Sequence, residues 1–125
     1  MERAVTTVLV VDDEPTLRSI LVDVLVDEGY AVVTARDGQE ALEIFARDAP
    51  DLVLMDVMMP RMDGPTAVRA LRALPNGTTV PIVLASAVMS SNGVDLGIDG
   101  FLRKPFELDD LLQLIGRLVD VPGSV

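Results

Sequence analysis

The chain has 125 residues, half of them hydrophobic, and carries 20 acidic against 10 basic side chains, for a formal net charge of −10. This size and composition predict one compact domain, and the negative charge argues against direct binding of nucleic acid or an anionic membrane, because both need a basic protein surface. The absence of cysteine and histidine excludes disulfides, thiolate or imidazole metal ligands and a histidine phosphoacceptor, so carboxylates must carry any metal binding or catalysis.

The sequence shows no membrane span and no signal peptide. No apolar run reaches the roughly 18 residues of a transmembrane helix, and the opening Met-Glu-Arg-Ala lacks the charged and apolar regions of a secretory signal. We therefore expect a cytoplasmic protein. A single domain is expected over residues 1–125, with its core at about 5–119 and a tail at 120–125.

The first predicted strand and helix meet at a pair of acids. Residues 5–11 are rich in β-branched side chains and stop at Asp12 and Asp13. Pro15 suits the first turn of a helix, since that position needs no backbone N–H. The predicted helix carries one apolar stripe at helical spacing: Leu17, Ile20, Leu21, Val24 and Leu25.

A second strand and helix follow after Gly29. Residues 30–34 read as the strand, and Asp37 is a candidate N-cap for the helix, which Pro50 prevents from continuing. Three apolar side chains of this helix are predicted to face inward: Ala41, Leu42 and Phe45.

The third predicted strand carries an isolated carboxylate. Residues 52–55 form a short apolar run typical of a strand buried on both faces, and Asp56 stands at its carboxyl end before Pro60 and Gly64. A lone acid in such a run is costly unless it is paired or used. A helix is predicted from about Pro65 to Leu74, with four apolar side chains on one side: Ala67, Val68, Leu71 and Leu74.

The last part of the chain adds two strands and a long helix. Residues 80–85 predict a fourth strand with Ser86 at its end, residues 90–97 predict a short helix or loop, and residues 101–102 predict a fifth strand ended by Lys104. The final helix has a wide apolar stripe: Leu108, Leu111, Leu112, Leu114, Ile115, Leu118 and Val119.

Apolar strands that alternate with helices predict an α/β fold with a parallel sheet covered on both faces. We predict a flavodoxin-like, doubly wound sheet of five strands in the order 2-1-3-4-5, with five helices of which the fourth is shortened. This order places strands one and three side by side. Asp12, Asp13 and Asp56 should therefore converge at the carboxyl edge, with Ser86 and Lys104 at the ends of the next two strands.

These residues suggest phosphoryl chemistry. Three close carboxylates repel one another unless a cation neutralises them, and oxygen ligands without histidine or cysteine favour Mg²⁺. An ionised aspartate such as Asp56 can attack phosphorus directly, while Ser86 and Lys104 could bind phosphoryl oxygens. Each residue also has a simpler explanation, as a helix cap, a turn acid, a loop hydroxyl or a solvated lysine, but these explanations do not account for their joint placement at strand ends.

Several motifs match a known family: Val-Val-Asp12-Asp13-Glu14, Asp51-Leu-Val-Leu-Met-Asp56-Val-Met-Met-Pro60, Asp63-Gly64, Ser86-Ala87 and Lys104-Pro105-Phe106. Over about residues 8–119 the chain resembles the receiver domain of bacterial two-component response regulators. The resemblance implies a phosphorylation-controlled switch that is not an enzyme acting on external substrates. Its phosphoryl donor would be the phosphohistidine of a histidine kinase or phosphotransfer protein.

The resemblance also implies a role for each matching residue. Asp56 would be the phosphoacceptor, and Mg²⁺ would be held by Asp12, Asp13, Asp56 and the Met58 carbonyl. Lys104, Ser86 and the Ala87 backbone would bind the phosphoryl group, and Ser86 and Phe101 would form the switch pair. The interval from Ser86 to Lys104 is about one helical turn shorter than the family pattern, which places the change in the predicted fourth helix and the family's output face.

Two other functions stay open at the level of sequence. A phosphatase with an aspartate nucleophile typically has a second acid two residues later, where this chain has Met58. A docking module that needs no phosphate is compatible with the shortened segment at residues 90–97, although it leaves the complete set of site residues unexplained. Self-association into a homodimer and the identity of the downstream partner or output domain also stay open.

Overall fold

The structure, a computed structural model, describes residues 5–59, 62–87 and 97–119. Within these ranges the chain forms five strands and four helices. We number them in chain order as β1 (Thr7–Val11), α1 (Pro15–Asp27), β2 (Ala31–Ala35), α2 (Gly38–Asp48), β3 (Leu52–Asp56), α3 (Gly64–Arg72), β4 (Ile82–Ser86), β5 (Gly100–Arg103) and α4 (Leu108–Leu118).

The five strands form one parallel sheet in the order β2-β1-β3-β4-β5. This confirms the predicted fold class and strand order. Because every strand runs the same way, all of their carboxyl ends lie at one edge of the sheet. Of the segment predicted as a shortened fourth helix, only Gly97 lies within the described residues, where it has a positive φ of 72°.

Both faces of the sheet are covered, as the continuous apolar strands predict. Every residue of β3 and β4 is buried. Side chains alternate between two core clusters along each strand: Val53 and Met55 pack with Phe45 of α2 and Leu71 of α3, whereas the opposite face packs against α1 and α4. Burying one such side chain contributes about 1.5–3 kcal/mol, so these two clusters supply most of the driving force that holds the carboxyl edge in place.

The apolar stripe of α1 is narrower than the sequence predicts. Leu21 and Leu25 are buried, but Ile20 is 44% exposed, so not every residue of the predicted apolar stripe faces the core. Residues one position apart are about 100° apart around a helix, which places Ile20 at the edge of the stripe that Leu21 centres.

Several element boundaries differ from the predicted ones, among them those of β4, β3 and α3. β4 begins at Ile82 because Pro81 has no N–H to donate, and it includes Ser86, whose carbonyl accepts a hydrogen bond from the Lys104 N–H at 2.8 Å. Likewise, β3 includes Asp56. α3 ends at Arg72, before a turn in which a Cβ on Gly77 would lie 1.7 Å from the Leu71 carbonyl oxygen, so this turn requires glycine.

Arg72 links the segments that precede β4 and β5, at the amino edge of the sheet. Its guanidinium donates to the carbonyls of Gly77, Val80 and Gly97 and pairs with Asp99 at 3.1 Å. The same Asp99 oxygen accepts the N–H of Ile82 at 2.8 Å, which joins the start of β4 to the residues leading into β5. No helix in the described part of the chain is long and apolar enough to cross a membrane.

Candidate functional site

Three carboxylates converge at the carboxyl edge of β1 and β3. Their strands pair in register, with Val11 opposite Met55, so Asp12 and Asp56 leave the sheet side by side. Asp12, Asp13 and Asp56 each offer an oxygen within 4.8 Å of the others. Asp12 is 3% and Asp56 8% exposed, whereas Asp13 faces solvent. The structure therefore brings together the three acids that the strand order predicts.

Asp12 is held through each of its polar atoms. Its N–H donates to the Ala35 carbonyl at 3.1 Å, and its Oδ1 accepts the Glu14 N–H at 2.9 Å. Its carbonyl accepts from Arg18 Nη1 at 2.7 Å, and its Oδ2 lies 3.4 Å from Lys104 Nζ. Asp12 is thus fixed by contacts with Ala35 of β2, Glu14, Arg18 of α1 and Lys104, which follows β5.

Lys104 bridges two of the acids. Its Nζ lies 3.3 Å from Asp56 Oδ1 and 3.4 Å from Asp12 Oδ2, and its side chain is 21% exposed. The backbone of Lys104 is anchored to the end of β4 by its hydrogen bond to the Ser86 carbonyl. The ammonium partly offsets the repulsion between the two buried carboxylates, as a positive charge in this position should.

Asp56 is the acid whose environment opposes its charge. Burial raises the pKa of its carboxyl, and the negative charge of Asp12 adds to that rise, whereas the Lys104 ammonium and the Met58 backbone N–H oppose it. Desolvation is the largest of these effects. A perturbed carboxyl beside a cation in a cleft is typical of a reactive group.

The loop after β3 approaches Asp56 closely. A Cβ on Gly64 would lie 2.9 Å from the Val57 Cα and 3.1 Å from the Asp56 carbonyl oxygen, so glycine allows this approach. The Gly64 N–H donates to the Val57 carbonyl at 2.9 Å. Met58, which follows, has a 63% exposed side chain. Gly64 therefore packs against the end of β3, whereas Met58 faces solvent.

Ser86 and Phe101 lie on the neighbouring strands β4 and β5, and Ala87 directly follows β4. Ser86 is buried at the end of β4, one position beyond the ladder pair of Asp56 with Ala85, and Ala87 follows it at the surface. Phe101 of β5 pairs with Leu84 and is partly buried against the core cluster on the α2 and α3 side. All the residues predicted for the site thus lie on four adjacent strands or within two residues of their carboxyl ends.

Two functional neighbours were missed by the sequence reasoning. Glu14, and not the Asp12-Asp13 pair, is the N-cap of α1, because its carboxylate accepts the N–H groups of Thr16 and Leu17 at 3.1 Å each. The position of Glu14 directly before Pro15 could have identified it as the N-cap. No sequence signal predicts the contact of Arg18 with Asp12, since a helical arginine normally points to solvent.

The chain belongs to the response regulator receiver domain family, whose family model matches residues 8–116. It is 45% identical over 116 residues to the response regulator MprA of Mycolicibacterium vanbaalenii, covering 90% of this chain and 49% of that protein. It is 40% identical over 124 residues to the probable transcriptional regulator ycf27 of Porphyridium aerugineum, covering 94% of this chain and 50% of that protein. The chain spans about half the length of these curated relatives.

Solved structures show the same architecture. The chemotaxis protein CheY4 of Vibrio cholerae superposes with a TM-score of 0.88 at 35% identity, covering 93% of this chain and 100% of that chain. A second match is the receiver domain of the sensor histidine kinase PA1611 of Pseudomonas aeruginosa, which has a magnesium ion coordinated in its active site cleft. It superposes with a TM-score of 0.85 at 31% identity, covering 92% of this chain and 98% of that chain. These likenesses confirm the flavodoxin-like receiver fold.

Proposed function

We propose that this receiver domain is a phosphorelay switch that accepts a phosphoryl group on Asp56. The observation that carries the proposal is the environment of that side chain: a buried carboxylate at a strand end, 3.3 Å from the Lys104 ammonium, in a cluster of three acids whose oxygens lie within 4.8 Å of one another. A structural aspartate needs one partner, whereas this arrangement supplies a nucleophile, a cation and ligands for a second cation.

The donor set fits Mg²⁺. All the available donors are oxygens, and the proposed ligands are the carboxylates of Asp12, Asp13 and Asp56 with the Met58 carbonyl. When bound, Mg²⁺ would supply positive charge that lowers the repulsion of the anionic phosphoryl group by the carboxylate nucleophile. The magnesium ion in the cleft of the PA1611 receiver domain supports this assignment by similarity.

The phosphoryl transfer follows from the side chains of the site. An oxygen of Asp56 attacks the phosphorus of a phosphohistidine, and the phosphorus–nitrogen bond breaks as the new phosphorus–oxygen bond forms. The histidine leaves with the electron pair of the broken bond and takes a proton from solvent. Lys104 exchanges its contact with the Asp56 carboxylate for one with a phosphoryl oxygen, and the Ser86 hydroxyl and Ala87 N–H donate to the others.

The modification reverses by hydrolysis at the same site. Water attacks the phosphorus, the bond to Asp56 breaks, and the products are inorganic phosphate and the original carboxylate. The domain therefore catalyses its own modification and its removal, with no turnover of an external substrate. This is consistent with the regulatory role of the family to which the chain belongs.

The signal is proposed to pass through Ser86 and Phe101. When Ser86 turns toward the phosphoryl group, the half-buried Phe101 on the next strand gains room to move inward, which changes the surface near β5. A downstream protein, an output domain or a second copy would read that surface. We propose the cytoplasm as the location, because the donor phosphohistidine is made from ATP, and no direct contact of this domain with nucleic acid, because its charge of −10 repels phosphates.

The test is labelling by acetyl phosphate, a small phosphoryl donor, with and without Mg²⁺. The wild-type protein is expected to gain one phosphoryl group only when Mg²⁺ is present, and Asp56→Asn is expected to gain none. Asp109→Asn, the same change at an exposed position in the first turn of α4, is the matched control and should label as the wild type does. Full labelling of Asp56→Asn, or labelling that ignores Mg²⁺, would contradict the proposal.

A further inference from the structure

Arg18 reaches from α1 back to the acidic cluster. Its Nη1 donates to the backbone carbonyl of Asp12 at 2.7 Å, the shortest of the contacts that hold that residue, in a partly buried position. The phosphoryl chemistry proposed above does not use this contact. A guanidinium that turns away from solvent to a carbonyl beside three carboxylates needs its own explanation.

The contact fixes a specific part of the site. The carbonyl of Asp12 and the N–H of Asp13 belong to the same peptide plane, so a hydrogen bond to that carbonyl sets the plane's orientation. The direction of the Asp12 and Asp13 side chains depends on that plane. The Ala35 carbonyl holds the other side of Asp12, through its N–H, and cannot set this plane alone.

We propose that Arg18 is a positioning residue for divalent-cation binding: it holds the peptide between Asp12 and Asp13 so that both carboxylates face Asp56. This inference rests on the proposed function, because the cation is the Mg²⁺ of the phosphoryl site. Groups that orient metal ligands from outside the coordination sphere typically contribute 10–100-fold to metal affinity.

A second physical effect has the opposite sign. The guanidinium is itself a cation near a cation site, so by charge alone its removal would strengthen Mg²⁺ binding. If Arg18 positions the ligands, its removal weakens binding instead. The sign of the change therefore separates the two effects, and added salt separates them again, because salt screens charge but not the orientation of a peptide.

The experiment is a Mg²⁺ titration of the whole domain. Binding is measured by calorimetry and by the changes in the amide NMR signals of the site. Arg18→Met keeps a side chain of good helix propensity, and Arg18→Gln provides a second neutral variant if the first does not fold. Both are expected to raise the Mg²⁺ dissociation constant about tenfold. Arg117→Met, at an exposed arginine of α4, removes the same charge far from the acids and should change it less than about twofold.

A second readout needs no metal. In the metal-free protein, Arg18→Met is expected to shift the amide nitrogen signal of Asp13 and the amide signal of Glu14, whose N–H donates to Asp12, while signals from β4 stay in place. Folded Arg18 variants that bind Mg²⁺ as tightly as the wild type, or more tightly, would overturn the Arg18 proposal alone. A wild-type protein that binds no Mg²⁺ would overturn the proposed metal site itself, so the two failures are distinguishable.

Discussion

Asp56 is placed where a neutral side chain would fit the fold better. It ends a strand that is buried throughout, and it faces Asp12 across the edge of the sheet. Lys104 offsets part of this cost but contacts both acids at 3.3–3.4 Å, so its single charge is shared. The residue is therefore retained at some expense in stability, which is characteristic of groups that serve chemistry.

Removing the Asp56 charge is expected to stabilise the metal-free protein. Because its pKa is raised in the folded state, folded Asp56 holds a proton at pH values where the unfolded chain has released it, and stability falls as pH rises through that window. Asp56→Asn should therefore be more stable than the wild type near neutral pH, because it removes the buried charge whose desolvation raises that pKa. The gain should disappear below the ordinary carboxyl pKa of 3.8.

Chemical denaturation across pH, in buffer with a chelator, measures this difference. Asp109→Asn again serves as the control, and its free energy of unfolding should stay within about 0.5 kcal/mol of the wild type, as for most surface changes. An Asp56→Asn protein that is less stable than the wild type at neutral pH would show that Lys104 and the Met58 N–H outweigh the desolvation of Asp56.

At the scale of elements, Met62 and Gly64, which follow β3 in the chain, make close approaches to α2 and to the end of β3. A Cβ on Gly38, the first residue of α2, would lie 3.1 Å from the Cβ, Cγ and carbonyl oxygen of Met62. Met62 leads to Gly64, which contacts Val57 and the Asp56 carbonyl. The positions of Met62 and Val57, on either side of the proposed phosphoacceptor loop, thus depend on two glycines from different helices.

Gly38→Ala is expected to cost stability relative to a glycine substitution with free space. Gly116 of α4 has nothing within 4 Å of an added Cβ, so Gly116→Ala should gain up to about 1 kcal/mol from helix propensity. Gly38→Ala should fall at least about 1 kcal/mol below that value, because Met62 must move to admit the methyl group. Equal free energies of unfolding for the two variants would contradict this account of the loop.

The strands and helices could be predicted from the sequence better than the contacts between them. The alternation of apolar strands with helices was sufficient for the sheet order and for the convergence of Asp12, Asp13 and Asp56, because strand order and parallel direction follow from that pattern. The exposure of Ile20 was missed because five apolar positions are wider than the buried face of α1. The carbonyl contacts of Arg18 and Arg72 depend on where the turns beside their helices place backbone carbonyls, and the pattern of side chains does not encode those positions.

At the scale of the whole molecule, the parallel sheet assembles one site from four separated stretches of chain. Asp12, Asp56, Ser86 and Lys104 are brought together because β1, β3, β4 and β5 are neighbours with their carboxyl ends aligned. The two core clusters hold that edge, and the net charge of −10 means that the molecule as a whole attracts cations and repels anions. We propose that this edge directs phosphoryl transfer to a single side chain, Asp56.

The most direct test of that claim is to identify the modified residue. After reaction with acetyl phosphate and Mg²⁺, borohydride reduces the acyl phosphate of an aspartate to homoserine, and peptide mass spectrometry locates it. We expect homoserine at position 56 and at none of the other aspartates, with none formed when Mg²⁺ is chelated. Homoserine at Asp12, Asp13 or a surface aspartate in place of Asp56 would contradict the account.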